Sequence, residues 1–264
     1  MTDETPTPSR SPTPTPTQTP TSTSTPTPSD GVVSVSLDAL QPAVVSMTSA
    51  DSIGVRDDDG QYLFLDVSVE AGSPPDVDDF AFHFDGTAYD PARDEFRLWR
   101  EYNQNDAYEP ETKEGWLLFE LPETGDASNP RLTWNDAAWG PDAGLVRRLS
   151  ERQPSMSVSP SFPESVTSGA SPTISIEVTN DGNGDDDLPG RFVAGLNRSG
   201  PRVAHRPVER ISVPVPAGES ETVEVVDDSV RYPDSDGIGD GDPDMTYYLD
   251  WPGEHVEREV RLTE

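Results

Sequence analysis

Two acidic loops carry the residue types and spacing that a hard cation needs. Asp181, Asn183, Asp185 and Asp187 alternate like the first oxygen ligands of a calcium loop. The sixth position, where such a loop turns on glycine, is Asp186, and the twelfth is Phe192 rather than glutamate. The second loop is richer: Asp234, Asp236, Asp240, Asp242 and Asp244 alternate with Gly237, Gly239 and Gly241. Calcium takes roughly six to eight oxygens, so it is the one cofactor the chain suggests, with the second loop the better candidate. The competing reading is that aspartate and glycine fill the solvated turns of a strongly acidic protein.

A second candidate is aromatic. Phe96, Arg97, Trp99, Arg100 and Tyr102 put ring faces beside guanidinium groups, a combination suited to a glycan or a protein partner. These rings, with Tyr108, Trp116, Trp134 and Trp139, would equally serve to fill a core. Asn197-Arg198-Ser199 is an N-glycosylation sequon, expected at a hairpin turn over 196–201. Arg147 and Arg148 are expected to pair with nearby carboxylates rather than with phosphate. His83, His205 and His255 lie far apart, without zinc spacing, and no Gly-x-Ser-x-Gly elbow or phosphate-cradling loop is present. Zero cysteine removes thiol catalysis and cysteine-ligated metal. No catalytic residue is assigned, and the expectation is a non-enzyme.

The elements that must position these residues are strands. In Thr173–Asn180, Ile174, Ile176 and Val178 alternate with Ser175, Glu177 and Thr179, and Leu63, Leu65, Val67 and Val69 alternate likewise with Phe64, Asp66, Ser68 and Glu70. Further strands are expected at 32–37, 43–47, 80–84, 116–121 and 131–134, then at 156–160, 191–196, 202–205, 210–215, 221–226, 246–251 and 256–262. Asp57-Asp58-Asp59-Gly60 and Asp85-Gly86 mark turns. Residues 91–102 read as a short helix or an irregular excursion. The pattern predicts an all-β protein: two tandem immunoglobulin-like β-sandwiches, over 31–149 and 155–264, joined by a hinge at 150–154.

Ahead of them, residues 2–29 contain no aliphatic or aromatic side chain and cannot offset the entropy of ordering. Their alternating prolines make residues 1–30 a disordered, extended Thr/Pro/Ser stalk with hydroxyls open to O-glycosylation. The chain carries 50 acidic against 18 basic residues, a net charge of -32, and Lys113 is its only lysine. That balance points to a halophile, because at 1 M salt the Debye length falls to about 3 Å and carboxylate repulsion is screened. It argues against nucleic acid and anionic lipid, both of which need clustered cations. No stretch is long and apolar enough to span a bilayer. Residues 1–5 do not read as a signal peptide, so the expectation is a cytoplasmic protein or a mature exported one, attached to membrane only through a lipid anchor upstream.

Val178-Thr179-Asn180-Asp181-Gly182, Pro189-Gly190-Arg191-Phe192-Val193 and Val215-Pro216-Ala217-Gly218-Glu219-Ser220 resemble the immunoglobulin-like, CARDB-type modules of archaeal and bacterial surface proteins. The Phe82–Tyr89 hairpin and Gly115–Pro122 strand are similar to a telokin-like family of secreted lipoprotein domains of unknown function, although the hairpin is shortened here. The resemblance implies a haloarchaeal-type exported lipoprotein. On this reading the protein is extracellular or anchored at the cell surface and engages a protein or glycan through loops or strand edges. The alternatives are an accessory or substrate-binding module of an exported enzyme system, and a cytoplasmic protein.

Overall fold

The computed structural model describes residues 32–92, 98, 107–167, 169–182, 189–200, 203–228, 230 and 244–263. In the first half, β1 (Val32–Gln41) is followed by a hairpin of β2 (Val44–Ser49) and β3 (Ser52–Arg56). Then come β4 (Gly60–Ala71), β5 (Phe80–Phe84), β6 (Thr87–Tyr89), β7 (Glu114–Pro122), β8 (Arg131–Trp134), β9 (Ala137–Trp139) and helix α1 (Ala143–Ser150). A sheet ordered β1-β4-β7 faces one ordered β6-β5-β8-β9.

The period-two pattern decides which residues meet between them. Leu63, Leu65, Val67 and Val69 of β4 pack with Leu117, Phe119 and Leu121 of β7 against Phe80, Phe82, Phe84, Leu132 and Trp134. Leu145 and Leu149 of α1 join that core, and the Asp142 carboxylate accepts from Leu145 N at 2.8 Å to cap the helix. His83 lies on the opposite side of β5 from the three phenylalanines, 3.0 Å from Thr133 Oγ1.

Two similar units build this half. β4 runs into the hairpin β5–β6, and β7 runs into the hairpin β8–β9. Antiparallel pairing of β4 with β7 and of β5 with β8 relates the units by an approximate two-fold. Asp85 (φ 49°) and Gly86 (φ 73°) turn the first hairpin and Asn135 (φ 45°) the second, the left-handed backbone a tight hairpin demands.

The second half holds β10 (Met156–Ser161), β11 (Ser165–Thr167), β12 (Thr173–Asn180), β13 (Gly190–Gly200), β14 (Val203–Val215), β15 (Ser220–Val226), β16 (Met245–Trp251) and β17 (Glu254–Thr263). A sheet β10-β12-β15 covers a sheet β11-β17-β16-β13-β14, with β11 parallel to β17. Ile174, Ile176 and Val178 are fully buried between them with Phe192, Ala194, Leu196 and Leu249. The segments expected at 202–205 and 210–215 are one strand, because β14 follows β13 along its whole length through two register shifts.

The motifs at Asn180 and Gly218 are bonded to each other. Asn180 Nδ2 donates to Val215 O at 2.8 Å, Asn180 N to Glu219 O at 3.0 Å, and Gly218 N to Asn180 O at 2.9 Å. Gly218 takes φ 72°, which a side chain would strain.

The β2–β3 hairpin pairs with neither sheet of its own half. It lies on β13, where Ala43, Val45 and Ile53 bury against Val193. The expected hinge is engaged as well: Gln153 Oε1 accepts from buried Arg148 at 2.9 Å, and Gln61 Nε2 donates to Leu149 O at 3.2 Å.

Candidate functional site

The structure treats the expected site residues unequally. Phe96, Arg97, Trp99, Arg100 and Tyr102 lie outside the described residues, as do Asp234, Asp236, Asp240, Asp242, Asn183, Asp185 and Asp187. Of the acidic loops, Asp181 accepts from Ser157 Oγ at 2.6 Å, and Asp244 accepts from Leu262 N at 2.9 Å. Tyr108, Trp116 and Trp134 are core residues, each no more than 7% exposed. Tyr108 donates to Pro75 O at 2.9 Å, and burial, with Asp76 and Asp79 nearby, pushes its hydroxyl up to about 12. Around the aromatic excursion, Ala92, Leu98 and Ala107 pack on Tyr62, Phe64, Trp116 and Leu118 across the outer face of sheet β1-β4-β7.

Asn197 differs most from its expectation. It sits inside β13, not at a turn, and is 3% exposed. Its Oδ1 accepts from Ile53 N at 2.9 Å and its Nδ2 donates to Ile53 O at 2.8 Å. A side-chain amide has replaced a strand partner and joins the hairpin of one half to strand β13 of the other. An N-linked sugar would have to grow from that same buried nitrogen, and the folded chain leaves no room for it. Sequence spacing could not show this, because Asn197 and Ile53 are 144 residues apart.

Beside the apolar cluster at Val193, the seam also has polar contacts. Ser212 Oγ lies 3.3 Å from Gln41 Oε1, and Asp57 accepts from Gly253 N at 2.9 Å. A cavity of about 70 Å³ between Asp38, Gln41, Phe64, Arg191, Arg210 and Ser212 lies in the seam, large enough for water and too small for a substrate.

A second concavity lies on the open part of sheet β1-β4-β7. Beyond Trp116 the outward positions become Ser34, Ser36, Asp66, Ser68 and Glu114, and serines keep the sheet surface low. Together with Glu109 and Thr112 they line a groove of about 490 Å³. Thr112 Oγ1 donates to Glu109 O at 3.0 Å and lies 2.9 Å from Glu114 O, which shapes the turn at one side. Hydroxyls and carboxylates can bind a cationic or hydroxyl-rich group; they offer no activated nucleophile.

On the second half, His255 is held by two acids: Nδ1 to Asp250 Oδ1 at 2.6 Å and Nε2 to Glu257 Oε1 at 3.1 Å. Both ring nitrogens can donate to these carboxylates only in the imidazolium form, and the hydrogen bonds to Asp250 and Glu257 raise the pKa of the ring. Tyr248 stacks on it at 6.3 Å and meets His205 at 5.7 Å on the other side. Because the folded value lies above the unfolded one near 6.5, the contribution to stability is complete below about pH 6.5 and is lost as pH rises through the folded value. The ring is half exposed, so the expected effect is below about 1 kcal/mol. Urea midpoints should fall slightly across that window, and His255→Gln should flatten the profile. Among the described residues, no three histidine, aspartate or glutamate side chains converge on a metal position.

No protein-family model matches the chain, and no curated protein matches it. Among solved structures it is similar to a β-glucosidase from Listeria innocua, at 14% identity over 43% of this chain and 16% of that one, with a TM-score of 0.32. The gluconolactone complex of that enzyme matches over 44% and 17% with a TM-score of 0.33, and the isofagomine complex over 49% and 19% with a TM-score of 0.32. The chain therefore spans less than a fifth of the glucosidase, at 16–19% of its length.

Proposed function

We propose that this is a non-enzymatic binding or structural protein of a halophile, secreted or anchored at the cell surface. Two immunoglobulin-like sandwiches, the first telokin-like and the second CARDB-type, stand at the end of a Thr/Pro/Ser stalk and engage a protein or glycan of the envelope. The observation that carries the reading is the seam. The Asn197–Ile53 amide pair and the Ala43, Val45, Ile53 and Val193 cluster lock two β cores into one stiff body, the form suited to presenting a surface at a distance. The groove chemistry supports recognition rather than turnover.

Intact mass of the native protein from membrane and soluble fractions tests this. A membrane species carrying a lipid-bearing cysteine upstream and glycans on the stalk supports it. A bare soluble chain starting at Met1 overturns it.

The halophile assignment has its own test. Raising KCl from 0.1 M to 1 M shortens the Debye length from about 10 Å to about 3 Å. With a net charge of -32, the urea midpoint should climb steeply over that range. A flat response removes the assignment.

A further inference from the structure

We propose that the free edge of β1, over Val32–Leu37, together with the serine-floored groove beside it, docks an extended segment of another protein that carries basic side chains at alternate positions. The segment adds as a fourth strand to sheet β1-β4-β7. The inference rests on the binding role above and names its partner class.

The edge itself is the first argument. β1 pairs with β4 on one side, and among the described residues no strand lies on the other. An open edge normally carries charge, proline or very short length as protection against pairing. Most other edges here do: β14 holds Arg206, Pro207, Arg210 and Pro214, β10 holds Pro160, β15 holds Glu221 and Glu224, and β3 ends on Arg56, while β2, uncharged as well, is bridged at Ser46 by Leu98. Strands β6, β9 and β11 have three residues each, and β7 is bridged by Ala107 and Glu109. Val32-Val33-Ser34-Val35-Ser36-Leu37 has neither charge nor proline, in a chain that is 26% charged.

The groove says what kind of strand fits. In the pairing register, Ser34 lies opposite Ser68, and Ser68 opposite Glu114; Ser36 lies opposite Asp66. An added strand would run about 10 Å from β4, two strand spacings away. Only a long side chain crosses that distance, and the serines leave its path open. Toward the end of the path stand Glu114, with Glu109 beside it, and Glu70, which accepts from Ser34 Oγ at 3.3 Å. Lysine or arginine meets this with its stem on the sheet and its charge on the carboxylates.

Two other occupants fit worse. A second copy would set the acidic face beside itself, between molecules that each carry -32. The chain's own stalk alternates proline, which lacks the donor a strand ladder needs.

The test uses the full chain, its assigned NMR spectrum and two ten-residue peptides alternating valine with arginine or with glutamate. The arginine peptide is expected to bind at least about tenfold more tightly than the glutamate peptide, and to slow amide exchange at Val33–Leu37. Ser34→Lys with Ser36→Lys changes only outward positions, and should weaken binding by about tenfold or more while leaving the urea midpoint near the parent. Equal binding of both peptides, failure of the arginine peptide to bind, protection of other amides, or a concentration-dependent dimer through β1 would each overturn the inference. None of these results alters the lipid or glycan masses that decide the broader function, so the two can fail separately.

Discussion

Replacing Asp227 by alanine is expected to cost the second half about 3–5 kcal/mol, the largest loss any single polar substitution should cause. Asp227 and Arg198 are 1% and 2% exposed at the side chain, and Arg198 Nε donates to Asp227 Oδ2 at 2.8 Å. Tyr247 donates to the same oxygen at 3.0 Å, and Arg198 Nη1 lies 3.9 Å from Met245 Sδ. Removing the carboxylate takes the Asp227 counter-charge from a buried guanidinium that cannot lose its proton, so the penalty is one of desolvation. The complementary experiment removes both charges. Arg198→Met with Asp227→Leu should recover most of the loss, since two apolar side chains of similar bulk need no partner. Urea unfolding at fixed KCl measures all three. If the double variant falls as far as Asp227→Ala, lost packing explains the cost and the charge argument fails.

The second large effect is predicted at the seam. Asn197→Ala removes one donor and one acceptor from a site where Ile53 is only 2% exposed, leaving the Ile53 N–H and C=O buried without their partners. At about 1–3 kcal/mol for each unsatisfied group, partly relieved by local relaxation, the expected loss is roughly 2–4 kcal/mol. The accompanying signature separates this from ordinary core damage. The β2–β3 hairpin should exchange its amides faster, while the cores around Phe119 and Ile176 keep theirs. Asn197→Asp should not rescue it, because its second oxygen would face the Ile53 carbonyl. The peptide containing Asn197 should also have a bare mass in the folded native protein. A sugar found there would show that the seam opens.

Much of the fold was legible because half-buried strands announce themselves by period-two alternation. Phe80–Phe84, Arg131–Trp134 and Thr173–Asn180 have the ends that alternation predicts, and the two inner rows of β4 and β7 face the core as expected. The short strands β3, β9 and β11 are not legible: β9 and β11 have three residues each, too few alternations to rise above chance, and Gly54 interrupts β3. Helix α1 was hidden in what read as an approach to a hinge: eight residues give two turns, and Leu145 and Leu149 are its only buried apolar positions. The aromatic and acidic loops fall outside the described residues, apart from Asp181, Leu98 and Asp244, so their candidate roles rest on sequence alone.

Sequence by itself determined the class of the protein: strands rather than long helices, a strong excess of acid over base, an N-terminal segment without aliphatic or aromatic side chains, and no cysteine or Gly-x-Ser-x-Gly motif. These follow from composition and short-range periodicity, which are local properties. Tertiary structure alone decided what the polar residues do. It turned a sequon into a clasp by bringing Asn197 to Ile53, and buried a surface-looking Arg198 against Asp227. It also left one uncharged strand edge open beside a groove of carboxylates. Each of those roles depends on which residue stands opposite another across a fold of many strands. A hydrogen bond spanning 144 positions leaves no periodic trace in the chain that makes it.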